Sequence, residues 1–233
     1  PNKSGSINIV NYACNTMIMW IIGAIPQLVF SLLLAVIFTS ARLNIKGQTF
    51  FKTVIYMPNL VMASAFSMLF FTLFSNVGPI NQIILAMTNN TFEFFRNPVS
   101  TRCIIAFINF LMWFGNTTIL LMAGIMGIDQ SLFEAASIDG ATSGQVFFKI
   151  TIPLARPGIM AGALLAFLYS FDEVALSSLL STPRFITLPI RIMNYMELTF
   201  DPTLAAISTL LILASLVLIV LMEKFVGLDM FVK

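Results

Sequence analysis

An uncharged apolar run near the start of the chain limits its possible folds more than any other feature. Between Lys3 and Arg42 there is no charged residue, and most side chains are Ile, Leu, Val, Phe, Met or Ala. A helix rises about 1.5 Å per residue, so about 20 such residues cross the hydrocarbon core of a bilayer. Only 9% of the chain is charged, against about a quarter of a soluble domain. We therefore expect an integral membrane protein.

Five stretches are apolar enough to form membrane-spanning helices, which predicts an all-α membrane protein with about five transmembrane helices. They lie near residues 15–38, 53–74, 103–126, 159–180 and 203–222. The fourth stretch is unusual because it contains Asp172 and Glu173. Ionisable groups at such depth are costly and usually face the bundle interior or a watery cavity.

Basic residues in short loops indicate how the spans are oriented. The loop between the first two spans contains Arg42, Lys46 and Lys52 with no acid nearby, and cytoplasmic loops are rich in such residues. Alternation then predicts external segments at 1–14, 75–102 and 181–202, a transmembrane domain at 15–222 with a cytoplasmic loop at 127–158, and a cytoplasmic tail at 223–233. A short interfacial helix is expected at Ile80 to Met87.

Composition argues against several other classes of protein. The chain contains no His and no CxxC pair, and its two cysteines, Cys14 and Cys103, lie in apolar runs. We therefore expect neither a disulfide framework nor a metal site. The net charge of +2 is spread along the chain, which does not favour binding to nucleic acid. Because the chain begins at Pro1 without a signal-peptide pattern, we expect either a fragment or a processed or trimmed chain. The missing earlier segment would be a further membrane span or another piece of the protein.

The predicted cytoplasmic loop has the pattern of two short helices. Ser131 and Glu134 form a capping box, in which the hydroxyl and the carboxylate each bond to a backbone N–H at the start of a helix. This helix is expected to end at Ala136 or Ser137. Asp139-Gly140 then supplies a turn, because glycine readily adopts positive φ.

The second helix is expected to start at another capping box, formed by Thr142 and Gln145. It would continue through Ile150 and end at Pro153 and Pro157. We call residues 131–150 the elbow. Its apolar side chains either face a partner or the membrane, or pack on the protein's own bundle as an ordinary loop would. They are Phe133, Val146, Phe147 and Ile150.

At this point the sequence resembles a known family. The pattern Glu134-Ala135-Ala136, Asp139-Gly140-Ala141, Ile150 and Pro153 is similar to the signature of type I, binding-protein-dependent ABC importer permeases. The chain has Ile152 where the family usually has Leu. The resemblance implies a core of five spans and a coupling helix that docks in a groove of an ATPase subunit. It implies coupling roles for Glu134, Ala135, Ala136, Asp139, Gly140, Phe147, Ile150 and Pro153.

The chain lacks a phosphate-binding loop of the G-x-x-x-x-G-K-[ST] type. We therefore expect ATP to bind on a separate subunit, and no cofactor, catalytic residue or metal ligand on this chain. The resemblance implies two ABC ATPase subunits, a second permease subunit and an external solute-binding protein as partners, in the lipid of a prokaryotic cell membrane.

The two parts of the chain resemble different branches of the family. Residues 47–53 (Gly-Gln-Thr-Phe-Phe-Lys-Thr) and 78–82 (Gly-Pro-Ile-Asn-Gln) resemble the carbohydrate-uptake branch, whereas residues 170–174 (Ser-Phe-Asp-Glu-Val) and 187–191 (Thr-Leu-Pro-Ile-Arg) resemble the spermidine/putrescine branch. The apparent junction lies around 150–165. The chain is either a chimeric or designed sequence or a divergent natural subfamily. We expect a sugar importer, with polyamine import as the alternative.

Polar residues within the predicted spans are candidates for a translocation path. Asp172 and Glu173 would line it and attract cationic or polyhydroxy solutes, or else form a structural ion pair with Arg184 or Arg191. In the third span, Asn109, Trp113 and Asn116 would line the path or hydrogen-bond between helices. Two hypotheses from other classes remain: an ion-coupled secondary carrier that uses the acidic pair, and a membrane scaffold that transports nothing.

Overall fold

The computed structural model describes residues 9–40, 46–181, 185–198 and 202–226. Long and short helices make up most of this part of the chain. The α-helices are α1 (Ile9–Thr39), α2 (Gln48–Tyr56), α3 (Ala63–Phe74), α4 (Pro79–Thr88), α5 (Pro98–Met126), α6 (Gln130–Ile138), α7 (Ser143–Val146), α8 (Ile152–Asp172), α9 (Val174–Leu180), α10 (Leu188–Leu198) and α11 (Pro202–Val226). A 3₁₀ turn spans Met57–Leu60, and a π-helical turn spans Phe147–Thr151.

The predicted all-α membrane fold is confirmed. In the described residues, four segments are long and apolar enough to cross a membrane, and α11 contains a shorter apolar segment at Ala205–Val217. The four segments are Asn11–Thr39, Ala63–Thr88, Pro98–Met126 and Ser143–Tyr169. The short helix expected in the segment 75–102 is also confirmed, as α4.

Helix α1 shows why this chain suits a lipid environment. Its buried side chains include the polar Thr16, Gln27 and Ser31 beside apolar ones such as Met19, whereas Ile25 and Val29 are more than half exposed. A soluble helix places its apolar stripe inside. The reversed pattern is stable only where apolar side chains meet lipid and polar groups find partners within the protein.

The predicted second and fourth spans are interrupted. The stretch 53–74 is not one helix, because α2 ends at Tyr56 and the 3₁₀ turn with Pro58 precedes α3. Met57, the residue before Pro58, keeps helical backbone angles. Pro58 itself donates no N–H, and its ring clashes with the carbonyl four residues earlier, so regular α-helical bonding stops there. The stretch 159–180 is divided at Glu173 into α8 and α9. Helix α10 lies in the segment 181–202, where no helix was expected.

The described chain forms two compact units. Of the residues that the structure describes, the first unit comprises those within 1–24, 60–112 and 167–207, and the second those within 25–59, 113–166 and 208–233.

In the first unit, polar contacts hold the segment before α10 against α1. The Asn15 side-chain amide donates to the Ile186 carbonyl at 3.3 Å, and the Leu188 N–H donates to the Thr16 hydroxyl at 3.1 Å. The Arg102 guanidinium of α5 donates to the Asn15 side-chain oxygen at 2.6 Å and lies 5.4 Å from the centre of the Phe185 ring. These bonds satisfy polar groups that would otherwise be costly to bury.

Asn81 joins α4 to the turns on either side of it. Its side chain is fully buried, and its amide donates to the carbonyls of Ser75 at 2.9 Å and Phe92 at 3.0 Å. Its oxygen accepts the Phe92 N–H at 2.8 Å. One side chain therefore ties the α3–α4 turn to the segment that precedes α5.

In the second unit, α5 packs closely between α1 and α2. Gln27 donates to the Thr117 hydroxyl and Ser31 donates to the Phe114 carbonyl, each at 2.8 Å. Gly115 lies so close to α2 that an added Cβ would stand 2.1 Å from the Ile55 carbonyl oxygen. Nearby, buried apolar side chains form a core of Ala35, Phe38, Leu121, Met122, Ile125 and Ala155.

Candidate functional site

The first helix of the elbow begins at a different cap from the predicted one. The N-cap of α6 is Asp129, in an extended conformation, and its carboxylate accepts the Ser131 N–H at 2.9 Å. Ser131 lies inside the first turn, so its predicted capping box with Glu134 is wrong. The bond from the Ser131 backbone, aided by one from its hydroxyl, lowers the pKa of Asp129 below its ordinary value.

The predicted turn at Asp139-Gly140 is confirmed. The Asp139 N–H donates to the Ala135 carbonyl at 2.9 Å, and the Ala141 N–H donates to the Ala136 carbonyl at 2.9 Å. These bonds close the end of α6. Gly140 has a φ of 72°, in the left-handed region that glycine enters without a steric penalty. The turn reverses the chain into α7.

The second helix starts as predicted but does not end as predicted. The capping box of Thr142 and Gln145 is confirmed, with both reciprocal bonds present. Pro153 and Pro157 do not end the helix: the π-helical turn joins α7 to α8, Pro153 is the second residue of α8, and Pro157 lies inside it. The elbow therefore continues directly into the fourth span.

The structure places most of the predicted coupling residues on the surface of the elbow. Glu134, Ala135, Asp139, Gly140 and Pro153 are exposed, Phe147 and Ile150 are half-buried, and Ala136 is buried. An open groove of about 320 Å³ lies between the Asp139-Gly140 turn and the second helix of the elbow. It is lined by Asp139, Gly140, Ala141, Gln145, Val146, Lys149 and Ile150.

Two large apolar side chains on the elbow were not among the predicted site residues. Ile138 is 86% exposed and Phe148 is 68% exposed. Each stands beside a predicted residue, Asp139 and Phe147 respectively. Each is a large apolar residue directly before a charged one, Asp139 or Lys149, and this pattern in the sequence could have indicated an exposed apolar side chain. Together with the predicted residues beside them, they add apolar area to the candidate contact surface of the elbow.

The three predicted path residues of α5 share one face of that helix. Asn109, Trp113 and Asn116 follow each other at intervals of four and three residues, which places them one above the other. All three are half-buried. The neighbouring Thr117 and Thr118 are buried. Thr117 accepts a bond from Gln27 and so joins α5 to α1, whereas Thr118 donates to the Phe114 carbonyl of its own helix.

The acidic pair lies at the break between α8 and α9. Asp172 is the last residue of α8, and its side chain lies outside the described part of the structure, as does Arg184. Glu173 is the N-cap of α9, and its carboxylate accepts the Leu176 N–H at 3.0 Å. One carboxylate of the pair therefore has a structural bond, which satisfies part of its hydrogen-bonding capacity.

The sequence matches the model of one protein family over residues 12–228, described as "Binding-protein-dependent transport system inner membrane component". The lactose transport system permease protein LacF of Rhizobium radiobacter is 30% identical over 165 residues, which are 69% of this chain and 55% of LacF. The spermidine/putrescine transport system permease protein PotC of Haemophilus influenzae is 35% identical over 106 residues, 46% of this chain and 41% of PotC. The chain thus spans about half the length of these curated relatives.

The fold also matches a solved structure. A bacterial ABC transporter involved in the import of the acidic polysaccharide alginate superposes with a TM-score of 0.79 and 20% identity, over 95% of this chain and 80% of that one. This likeness establishes the fold. Because the family model covers most of the chain, the protein belongs to the binding-protein-dependent transport system inner membrane components and is a multi-pass protein of the plasma membrane.

Proposed function

We propose that this chain is the permease subunit of an ATP-driven solute importer and that the elbow is the surface that contacts the ATPase. The observation that carries the proposal is the exposed elbow itself. Its two short helices are capped by Asp129 and by Thr142. Most residues of the coupling signature are exposed on this surface, beside an open groove. A loop that served only to connect two spans would need none of these features.

The chemistry of ATP hydrolysis belongs to other chains in this account. Two ATPase subunits lie beneath the membrane, a second permease subunit completes the pathway, and an external solute-binding protein delivers the solute. Binding of ATP closes the ATPase pair, and the elbow moves with it. Since the elbow continues into α8, its displacement reaches the fourth span and switches the side of the membrane to which the pathway opens.

We propose a sugar as the solute, with a polyamine as the second candidate. The similarity to the lactose permease extends over a larger share of this chain than the similarity to the spermidine/putrescine permease. The α5 face with Trp113 offers an aromatic surface for a sugar ring, and the amides of Asn109 and Asn116 offer hydrogen bonds to hydroxyls. The polyamine alternative would instead rely on Asp172 and Glu173.

Photo-crosslinking tests the contact with the ATPase. A photoreactive amino acid at Ile138, which is 86% exposed, should crosslink to the co-expressed ATPase subunit. The matched control is Val77, which is 82% exposed and lies in the predicted external segment. We expect crosslinks from Ile138 alone. Equal yields from both positions, or none from Ile138, would rule out the elbow as the contact.

Uptake of two labelled solutes distinguishes the two substrate classes. Uptake of a radiolabelled disaccharide and of radiolabelled putrescine is measured in the reconstituted complex. For a sugar importer, Trp113→Ala should reduce disaccharide uptake, and Asp172→Asn should leave it intact. Uptake of putrescine alone, abolished by Asp172→Asn in a folded protein, would replace the sugar assignment with the polyamine one.

A further inference from the structure

The elbow is joined to the fourth span by a turn that is wider than a normal helical turn. In the segment Phe147–Thr151 the chain is π-helical. The Ile152 N–H donates to the Phe147 carbonyl, and the Thr151 hydroxyl donates to the Val146 carbonyl at 3.4 Å. The backbone bond from Ile152 spans five residues, whereas the backbone bond of a regular α-helix spans four. The bond from the Thr151 side chain reaches across the same wide turn. The joint therefore contains one residue more than an α-helical joint.

The proline that follows supplies a physical cause. Proline has no N–H to donate, and inside a helix its ring clashes with the carbonyl four residues earlier. For Pro153 that carbonyl belongs to Lys149, in the middle of the wide turn. A π-helical turn redirects this carbonyl and removes the clash without breaking the helix. The chain can then pass from α7 to α8 as one continuous rod.

We propose that Pro153 is a positioning residue that holds this turn in its wide form and thereby sets the direction in which the elbow faces. One residue of an α-helix corresponds to about 100° of rotation and about 1.5 Å of rise. If the same residues formed an α-helix, the elbow would rotate by about that angle around the axis of the fourth span. The exposed Ile138 and the groove beside Asp139 would then face elsewhere.

The burial of the joint agrees with this assignment. Thr151 is 4% exposed, whereas Phe148 is 68% exposed. The buried side of the turn is thus anchored to the bundle, and the additional residue is accommodated on the open side. Deleting one residue on the open side should give a regular α-helix in which α7 keeps its original orientation relative to α8. This requires that Pro153 is also replaced by a residue that an α-helix accepts.

This reasoning predicts a compensation between two changes. Pro153→Ala alone should let the turn become α-helical and rotate the elbow. Deletion of Phe148 alone should also disturb the direction, because Pro153 still excludes the α-helical turn. The two changes together should restore the direction. Phe148→Ala is the matched control, since it removes the ring and keeps the length of the chain.

Distances between spin labels measure the direction of the elbow without any partner. Labels are placed at Ile138 on α6 and at Ile119, an exposed residue of α5, in a protein with both native cysteines replaced by serine. We expect each single change to shift the distance by roughly 5 Å, and the combined variant and Phe148→Ala to keep it. An unchanged distance in Pro153→Ala, or a shifted distance in the combined variant, would overturn the inference. If Pro153→Ala does not fold, the label distances of the deletion variant and of the combined variant are compared. A shifted distance in the deletion variant with the native distance in the combined variant supports the inference, and equal distances in the two overturn it.

The second readout rests on the proposed function. In the reconstituted complex, ATP-driven uptake should be lost in Pro153→Ala and in the deletion variant, and regained in the combined variant to the level of Phe148→Ala, which lacks the same ring. A combined variant that has the native distance but transports less than Phe148→Ala would also overturn the positioning role. If the unaltered complex shows no ATP-driven uptake while the label distances behave as expected, the proposed function fails and the assignment of Pro153 stands.

Discussion

Gly115 offers the most direct test of how the second unit is packed. A Cβ added at this position would lie 2.1 Å from the Ile55 carbonyl oxygen and 2.8 Å from its carbon. Both are backbone atoms, so no rotamer change relieves the overlap, and α5 and α2 must move apart by more than an ångström. Such overpacking costs about 1–3 kcal/mol and occasionally more, and it would also strain the nearby bonds from Gln27 and Ser31. We therefore expect Gly115→Ala to be strongly destabilising.

The matched control lies about two and a half turns further along the same helix. A Cβ at Gly124 would meet the Gly158 Cα at 3.6 Å, an ordinary van der Waals distance. Thermal unfolding of the two variants, followed by size-exclusion chromatography in detergent, compares them with the unaltered protein. Gly115→Ala should lose its monodisperse peak at a clearly lower temperature, and Gly124→Ala should not. Equal melting of Gly115→Ala and the unaltered protein would refute the close approach of α2 and α5.

Three further predictions concern polar groups. Asn81→Leu leaves two carbonyls and one N–H without their partner, so we expect the free energy of unfolding to fall by about 1–3 kcal/mol per buried group. The variant should unfold at a lower temperature than the control Gln82→Leu, which changes the exposed side of α4. Asp129 has a lowered pKa, so its bond to the start of α6 contributes its full stabilisation above the unfolded-state pKa and is lost as the pH falls through the lower folded-state pKa. Hydrogen exchange at the start of α6 should therefore become faster in acid. Asp129→Ala should remove this dependence on pH. A double-mutant cycle of Gln27→Ala and Thr117→Val should give a coupling of about 0.6 kcal/mol, and a value of zero would contradict the bond between α1 and α5.

The class of the protein could be predicted from sequence because it depends on composition. An uncharged run such as 4–41 cannot be buried in a soluble domain of this size, and the low charge of the whole chain leaves membrane insertion as the solution. The second capping box of the elbow was also predictable. Thr142 and Gln145 stand in a fixed local spacing, and their two bonds need no distant partner.

The first cap could not be chosen from local spacing alone. Asp129 and Ser131 are both good caps, and the choice between them depends on where α5 ends, at Met126. Only two residues then separate that helix from the cap at Asp129. This leaves Ser131 inside the first turn. Tertiary structure therefore decided between two locally equivalent starts.

The path of the chain after the elbow could not be predicted because, in a sequence pattern, a proline most often marks the end of a helix. In a membrane bundle, a proline inside a helix is tolerated when neighbouring groups or a widened turn satisfy the backbone. Pro157 inside α8 and Pro153 after the π-helical turn are both such cases. The predicted lining roles of Asn109 and Asp172 depend on a solute, and they remain predictions.

ATP-driven uptake through the elbow tests the central claim most directly. The permease is reconstituted into vesicles with its ATPase and solute-binding protein, either intact or with residues 134–140 deleted, and solute uptake is followed with ATP or with an ion gradient as the only energy source. We predict that uptake depends on ATP and is lost in the deletion variant, although this variant still inserts into the membrane. Uptake that follows an ion gradient without the ATPase, or ATP-driven uptake that survives the deletion, would contradict the account.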